Sequence, residues 1–127
     1  MKKIYFALFA SLALVSCGGS STATSTTMNV TADTLDPANT FEYTITVGEN
    51  TGTDVVIEVT QGKVVTLNVV NPSSHDDVHL HGYDLSTGSI EKGETGTMMF
   101  TASKTGDFEI ESHETEELIS ILRVTAP

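Results

Sequence analysis

Three observations predict that the chain folds as an all-β sandwich. Short runs in which apolar and polar residues alternate recur along the sequence, separated by turns that contain glycine. Valine and threonine, which favour strands, are abundant, and no long window shows the 3.6-residue period of a helix. Beyond a short N-terminal leader, about 100 residues remain, enough for one domain. About seven short strands without helices between them are typical of an antiparallel β-sandwich or barrel.

The first half of this domain contains three predicted strands. The first spans 41–47, where apolar and polar residues alternate, and a turn at 48–52 follows it. The second spans 55–60 and ends at a short connection that contains glycine. The third, 64–70, is an apolar run that ends before Pro72, a residue that cannot donate to a sheet ladder.

The second half contains four predicted strands. The first, 77–84, carries two histidines, and a turn with glycine separates it from 95–101. The strands 107–113 and 119–125 follow, with another turn before the first of them. Alternation along the strands places one set of apolar residues inside. The predicted core includes Val65, Leu67, Val69, Val78, Leu80, Phe108, Ile110, Leu122 and Val124.

Two histidines on one strand are the most informative feature of the sequence. His79 and His81 lie two residues apart in 77–84, so they point to the same face of the strand. Val78 and Leu80 alternate with them and are predicted to face the core. The two imidazoles therefore belong to the outer face. Imidazole is the commonest metal ligand in proteins, so this pair is a candidate metal site.

A third histidine extends the candidate site. His113 ends the predicted strand 107–113, and Glu111 lies on the outer face of the same strand. If this strand neighbours the histidine strand, the three imidazoles meet, and Glu111 or Glu114 adds a carboxylate. Imidazole and carboxylate suit Cu(II) or Zn(II), and Cu(II) binds more tightly to the same ligands.

The N-terminus predicts a lipoprotein leader. Two lysines precede an apolar run at 4–15, which is too short to span a bilayer comfortably. Residues 14–17, Leu-Val-Ser-Cys, resemble the lipobox of bacterial lipoproteins, and Cys17 is the only cysteine in the chain. The resemblance implies that 1–16 is a signal peptide and that acyl chains modify Cys17. An ordinary secretory leader with a chance cysteine is the alternative interpretation.

This leader implies an organisation in three parts. After the signal peptide, 17–27 is interpreted as the lipidated cysteine and a flexible tether of Gly, Ser and Thr, and 28–127 as the folded domain. The acyl chains would anchor the domain to a membrane of the cell envelope, outside the cytoplasm. Gly18, rather than Asp, follows the cysteine, which implies the outer membrane if the cell has one.

Charge and cysteine content restrict the partners. The chain has 17 acidic and six basic residues and a formal net charge of −11. Such a surface repels phosphate and anionic lipid headgroups, so we expect no nucleic-acid partner and expect the acyl anchor to supply the membrane attachment. Cations are favoured as ligands. If Cys17 is lipidated, the domain has neither a disulfide nor a thiolate for a metal.

Several segments resemble a cupredoxin domain. The segment 59–71 is similar to the opening of that domain, with a glycine turn that leads into an apolar strand ending at Asn71. Residues 106–113 resemble the segment that carries the copper-binding cysteine, and 121–124 resembles the closing strand. The resemblance covers roughly 41–127 and implies a cupredoxin-like Greek-key sandwich.

The chain also departs from the blue-copper members of that family. The motif His-x-His-Gly-Tyr-Asp at 79–84 is similar to a subgroup of secreted cupredoxin-like proteins, many of them lipoproteins. Ser112, however, stands where the resemblance implies the copper-ligating cysteine, and no methionine follows it. Two histidines, a cysteine and an axial methionine form a blue-copper centre. We therefore expect no type 1 centre.

Three functions agree with these observations. The first is a metal-handling lipoprotein that binds Cu(II) or Zn(II) through His79, His81 and His113. The second is a metal-free β-sandwich that binds a protein partner or serves a structural role. The third is an enzyme, such as a copper oxidase with an open metal position. No catalytic constellation can be argued from the sequence spacing, so we do not expect an enzyme.

Overall fold

The computed structural model describes residues 36–127. The predicted signal peptide 1–16, the lipidation site Cys17 and the tether 17–27 lie outside the described residues, as does the predicted start of the domain at residue 28. Within 36–127, no helix is long and apolar enough to cross a bilayer. One turn of 3₁₀ helix, Pro37–Asn39, precedes the first strand.

Residues 36–127 form eight strands. Their bounds are β1 Thr40–Thr46, β2 Val56–Thr60, β3 Val64–Val70, β4 Asp76–Leu80, β5 Leu85–Ile90, β6 Thr95–Thr101, β7 Gly106–Ser112 and β8 Leu118–Thr125. They build a three-stranded sheet in the order β1-β3-β6 and a five-stranded sheet in the order β2-β8-β7-β4-β5. The predicted all-β sandwich is therefore confirmed.

Both sheets are mixed. Strands β1 and β3 are parallel, as are β2 and β8, whereas the other neighbouring pairs are antiparallel. Parallel neighbours need a connection that returns the chain to its starting end. Strand β2 lies between β1 and β3 in sequence but belongs to the opposite sheet. It therefore provides the connection that makes β1 and β3 parallel. Local alternation cannot reveal such pairing, which explains why a wholly antiparallel sandwich was predicted.

The core lies between the two sheets and agrees with the predicted alternation. Eight of the nine predicted core residues are at most 2% exposed. Phe108 is the exception, because it is only partly buried and packs against the margin of the core. Its ring centroid lies 4.8 Å from that of Tyr83. The register of β7 is nevertheless as predicted, since Ile110 is fully buried.

The predicted strand 77–84 is shorter than expected. Strand β4 ends at Leu80, residues 81–84 form a turn, and the chain reverses into β5. Asp84 has a φ of 57° and Gly82 a φ of 78°, both in the left-handed region that turns use. Strand β5 was missed by sequence analysis, because its polar interior and Gly88 give no clear alternation.

Gly82 is required by the packing of this turn as well as by its backbone. A Cβ atom placed on Gly82 would lie 2.5 Å from Cδ1 of Phe108, far inside van der Waals contact. Gly93 has the same φ of 78°, but a Cβ there would meet nothing within 4 Å. The two glycines therefore share a backbone requirement and differ in packing.

A buried polar network joins the start of β4 to the end of β7. Asp76, Asn71 and Ser112 are 1%, 5% and 3% exposed. The Ser112 hydroxyl donates to Oδ1 of Asp76 at 2.6 Å, and Nδ2 of Asn71 donates to Oδ2 at 2.8 Å. The backbone N–H of Asp77 also donates to Oδ1, at 2.9 Å. Three donors thus compensate the cost of burying this carboxylate.

We predict that Gly82→Ala destabilises the domain more than Gly93→Ala. Both substitutions place a Cβ in the left-handed region, at a cost of roughly 1–2 kcal/mol. Only Gly82→Ala also forces the Phe108 ring to move. Urea unfolding of both variants measures the difference. Equal losses of unfolding free energy would show that the contact between Gly82 and Phe108 does not constrain the turn.

We also predict that Ser112→Ala lowers the unfolding free energy by about 1–3 kcal/mol, because a buried carboxylate loses a donor. The backbone N–H of Thr115, which donates to the Ser112 hydroxyl at 3.2 Å, loses its acceptor as well. Ser89→Ala, at an exposed position of β5, is the control and should change stability by no more than about 0.5 kcal/mol. Identical thermal melts for the two variants would contradict the structural role of this network.

Candidate metal centre

The pairing of β4 with β7 brings the predicted ligands together. The two strands are antiparallel neighbours, with His79 opposite Glu111 and Val78 opposite Ser112. Val78 is fully buried, so the alternate residues of β4 face outward. The condition on which the sequence prediction depended, that the two strands are adjacent, is met.

Two of the predicted ligands, His81 and His113, lie just beyond the ends of their strands, and backbone hydrogen bonds hold both in place. The backbone N–H of His81 donates to the carbonyl of Glu109 at 2.9 Å, which continues the ladder one residue past β4. The backbone N–H of His113 donates to the carbonyl of Asp77 at 2.8 Å. Both histidines are therefore attached to the sheet, although neither belongs to a strand.

The three rings stand side by side with His79 in the middle. Its ring centroid lies 4.7 Å from that of His81, at an interplanar angle of 66°. The centroid of His113 lies 5.0 Å from that of His79, at an angle of 51°. We call His79, His81 and His113 the imidazole cluster. It occupies the outer face of the five-stranded sheet.

His79 carries an unsatisfied atom. Its Nδ1 is buried and has no hydrogen-bond partner among the described residues. A buried polar atom without a partner costs about 1–3 kcal/mol. A cation bound to a lone pair on this nitrogen would remove that cost.

The carboxylates predicted beside the cluster have different neighbours. Oε2 of Glu111 lies 2.7 Å from Nε2 of His81, and these side chains are 32% and 45% exposed. Glu114 pairs with His75 instead, with 3.2 Å between Oε2 and Nε2. Both members of that second pair are exposed. Sequence analysis missed it, because both residues lie in loops, where no periodicity relates them.

The cluster is not arranged around a common point. Within residues 36–127, no group of three or more His, Cys, Asp or Glu side chains stands ready to hold a metal ion. A tetrahedral ion with bonds of about 2.05 Å needs ligand nitrogens roughly 3.3 Å apart. The structure therefore brings the three predicted ligands together without arranging them around an ion.

The residues do not fit a blue-copper centre. The hydroxyl of Ser112 is committed to the buried carboxylate of Asp76, and it offers no thiolate. Residues 113–127 contain no methionine that could serve as an axial ligand. A hydrogen-bonded network thus occupies the place where the sequence resemblance implied a cysteine.

A cavity among the described residues is separate from the cluster. It has a volume of about 320 Å³ and opens beside Ser112, Thr115 and Glu117, near the start of β8. None of the three histidines lines it. Its walls are mainly small polar and aliphatic side chains, so the imidazole cluster remains the stronger candidate site.

Arg123 supplies the positive charge on the outer face of the five-stranded sheet. It lies on β8, opposite Asp107 at the start of β7. Arg123 donates to both carboxylate oxygens of Asp107 at 2.8 Å and lies 3.9 Å from Glu58. The hydrogen bond from Arg123 holds the pKa of Asp107 below its usual range. The imidazole cluster is at the other end of β7, where Glu111 supplies negative charge.

Comparisons with known proteins identify the fold. No protein-family model and no curated protein matches the chain. Among solved structures, a multicopper oxidase matches with a TM-score of 0.57 and 16% identity over 68% of this chain. Copper nitrite reductase from Nitrosomonas europaea matches with a TM-score of 0.55 and 20% identity, also over 68%. A multicopper oxidase from Campylobacter jejuni matches with a TM-score of 0.53 and 19% identity over 69%.

The chain is much shorter than these proteins. It spans 42% of the first two and 26% of the third. At such low identity the likeness concerns the backbone arrangement alone. These neighbours contain cupredoxin-like domains. The chain therefore has a cupredoxin-like fold.

Proposed function

We propose that this protein binds Cu(II) or Zn(II) through the imidazole cluster and handles that ion outside the cytoplasm, by buffering or delivery. The observation that carries the proposal is the proximity of three imidazoles whose middle ring has a buried nitrogen with no hydrogen-bond partner within residues 36–127. Their shared use as ligands accounts for their proximity.

The chemistry of the ligands favours these two ions. Neutral imidazole suits Cu(II) and Zn(II), and Cu(II) binds more tightly to a given nitrogen and oxygen site. Cu(I) prefers thiolate or thioether ligands, which the cluster lacks. The acidic composition of the chain raises the local concentration of cations. Several structures with this fold are copper proteins by name, which supports the proposal without extending their activities to this chain.

A metal-free interaction module is the second candidate function. It is favoured by the finding that the described side chains form no ready metal site. In this case the histidines would be exposed side chains that contact a partner protein. Direct ion titration separates the two candidates.

The proposal places the protein on a membrane. The lipobox-like segment 14–17 and the polar segment after it support acylation of Cys17 and a flexible tether. Several acyl chains give stable anchoring, since each buried methylene contributes about 0.8 kcal/mol. The acyl chains would then hold the acidic domain near a membrane surface to which its own charge does not attract it.

We predict that the imidazole cluster binds Cu(II) and Zn(II) at micromolar concentrations. The protein without residues 1–16 and with Cys17→Ser is titrated with each ion by calorimetry. A variant with His79→Ala, His81→Ala and His113→Ala should lose binding. His75→Ala removes the remaining histidine of the chain and should bind as the parent does. Loss of binding in the first variant alone assigns the ion to the cluster.

Two further readouts accompany this titration. Ion at 100 times its Kd should stabilise the folded parent by about 2.7 kcal/mol and raise its Tm, because the ion prefers the folded state. Bound Cu(II) should lack the intense blue thiolate band, because Ser112 offers no sulfur. Equal binding by the parent and the triple variant, or no binding by either, would eliminate the site and favour the interaction module.

We predict that Cys17→Ala releases the protein from the membrane fraction and blocks normal processing of the leader. The thiol is the acceptor for the lipid, and no other cysteine can replace it. Ser21→Ala, four residues into the tether, is the control and should remain membrane-bound. A Cys17→Ala protein that is processed and fractionates like the control would refute the lipoprotein assignment.

A further inference from the structure

We infer that Glu111 is a positioning residue of the imidazole cluster: it holds His81 in the tautomer whose Nδ1 is free to bind the ion. The role of Nδ1 as an ion ligand rests on the proposed function, whereas the tautomer of His81 is a property of the ion-free protein. It assigns Glu111 a role different from that of the additional ligand considered in the sequence analysis.

The hydrogen bond between the two side chains determines the tautomer. Nε2 of His81 lies 2.7 Å from Oε2 of Glu111, a short distance that is typical of bonds to an ionised acceptor. An ionised carboxylate has no hydrogen to donate. The hydrogen must therefore reside on Nε2 of His81. In the neutral ring this leaves the lone pair on Nδ1, which becomes the ligand atom.

Strand β7 fixes His81 at two points. The backbone N–H of His81 donates to the carbonyl of Glu109, and its ring bonds to the side chain of Glu111, two residues along the same strand. Glu111 itself is held opposite His79 by the register of β4 and β7. Both backbone and ring of His81 are thereby oriented before an ion arrives.

The same bond argues against Glu111 as a direct ligand. One of its carboxylate oxygens is engaged with His81, and ligation through that oxygen would break a 2.7 Å contact. Ligating histidines commonly donate their other ring N–H to a carboxylate, which fixes the tautomer and increases the basicity of the ligand nitrogen. Loss of such a partner typically reduces metal affinity by about 10–100-fold.

The first experiment uses the ion-free protein. Two-bond ¹H–¹⁵N NMR of histidine-labelled protein at about pH 8, where free imidazole is neutral, locates the ring hydrogen. We expect it on Nε2 of His81, protected from exchange with water. Glu111→Ala should accelerate this exchange and admit the Nδ1–H tautomer, whereas Glu111→Gln keeps an acceptor oxygen and should preserve the parent signal. Glu109→Gln, the same change at an exposed position of β7, should also preserve it.

The second experiment adds Zn(II) and then Cu(II). We expect the ¹⁵N signal of His81 Nδ1 to show coordination and Zn(II) affinity to fall about 10–100-fold in Glu111→Ala. Glu111→Gln should recover part of that loss, with the EPR spectrum of bound Cu(II) unchanged from the parent. Because Glu111 lies outside the core, we expect the thermal melts of all variants to match that of the parent. Matching melts exclude unfolding as the cause of a lower metal affinity.

Several results would overturn the inference. A ring hydrogen on Nδ1 of ion-free His81, or exchange that Glu111→Ala leaves unchanged, removes the positioning role. Coordination through Nε2, or an altered Cu(II) spectrum in Glu111→Gln, makes Glu111 a ligand. Failure of the parent to bind either ion refutes the proposed function and the role of Nδ1 as ligand. The ion-free spectra still decide whether Glu111 sets the tautomer, so the two failures are distinguishable.

Discussion

The register between β4 and β7 is the constraint on which the candidate site depends. It places Val78 opposite Ser112 and His79 opposite Glu111, and alternation then separates the core from the outer face. A slip of one residue would turn the imidazoles inward and Val78 and Leu80 outward. Fully buried Val78, Leu80 and Ile110 resist that slip, because each would lose its apolar surroundings. The buried apolar residues of β4 and β7 therefore fix the positions of the histidines on the outer face.

The same pair of strands carries two different polar arrangements on its two faces. Toward the interior, the hydroxyl of Ser112 and the amide of Asn71 satisfy the carboxylate of Asp76. Toward solvent, the ring centroids of His81 and His113 lie within 5.0 Å of that of His79. The inner network is complete in hydrogen bonds and has a structural role. The outer cluster has an unsatisfied buried nitrogen, and this difference is why the proposed function concerns the outer face.

Local patterns predicted the features that depend on neighbouring residues. Alternation identified seven of the eight strands and the core faces of β3, β4 and β8, and the spacing of His79 and His81 indicated a shared face. It failed where long-range packing decides. Phe108 keeps the predicted register but lies at the margin of the core. Strand β5 has little alternation of its own and forms by pairing with β4. Asp76 and Ser112 are 36 residues apart, and no local pattern connects them.

The proposed function requires that His79, His81 and His113 share one ion. The most direct measurement is a crystal structure of the zinc-loaded protein with anomalous diffraction at the zinc edge. We expect one ordered ion bonded to a nitrogen of each ring at about 2.0–2.1 Å. The rings of His79 and His113 should have turned towards it, while the bond between His81 and Glu111 and the β4–β7 register are kept. An ion bound instead between His75 and Glu114, or no ordered ion at the cluster, would show that the three histidines do not share a site.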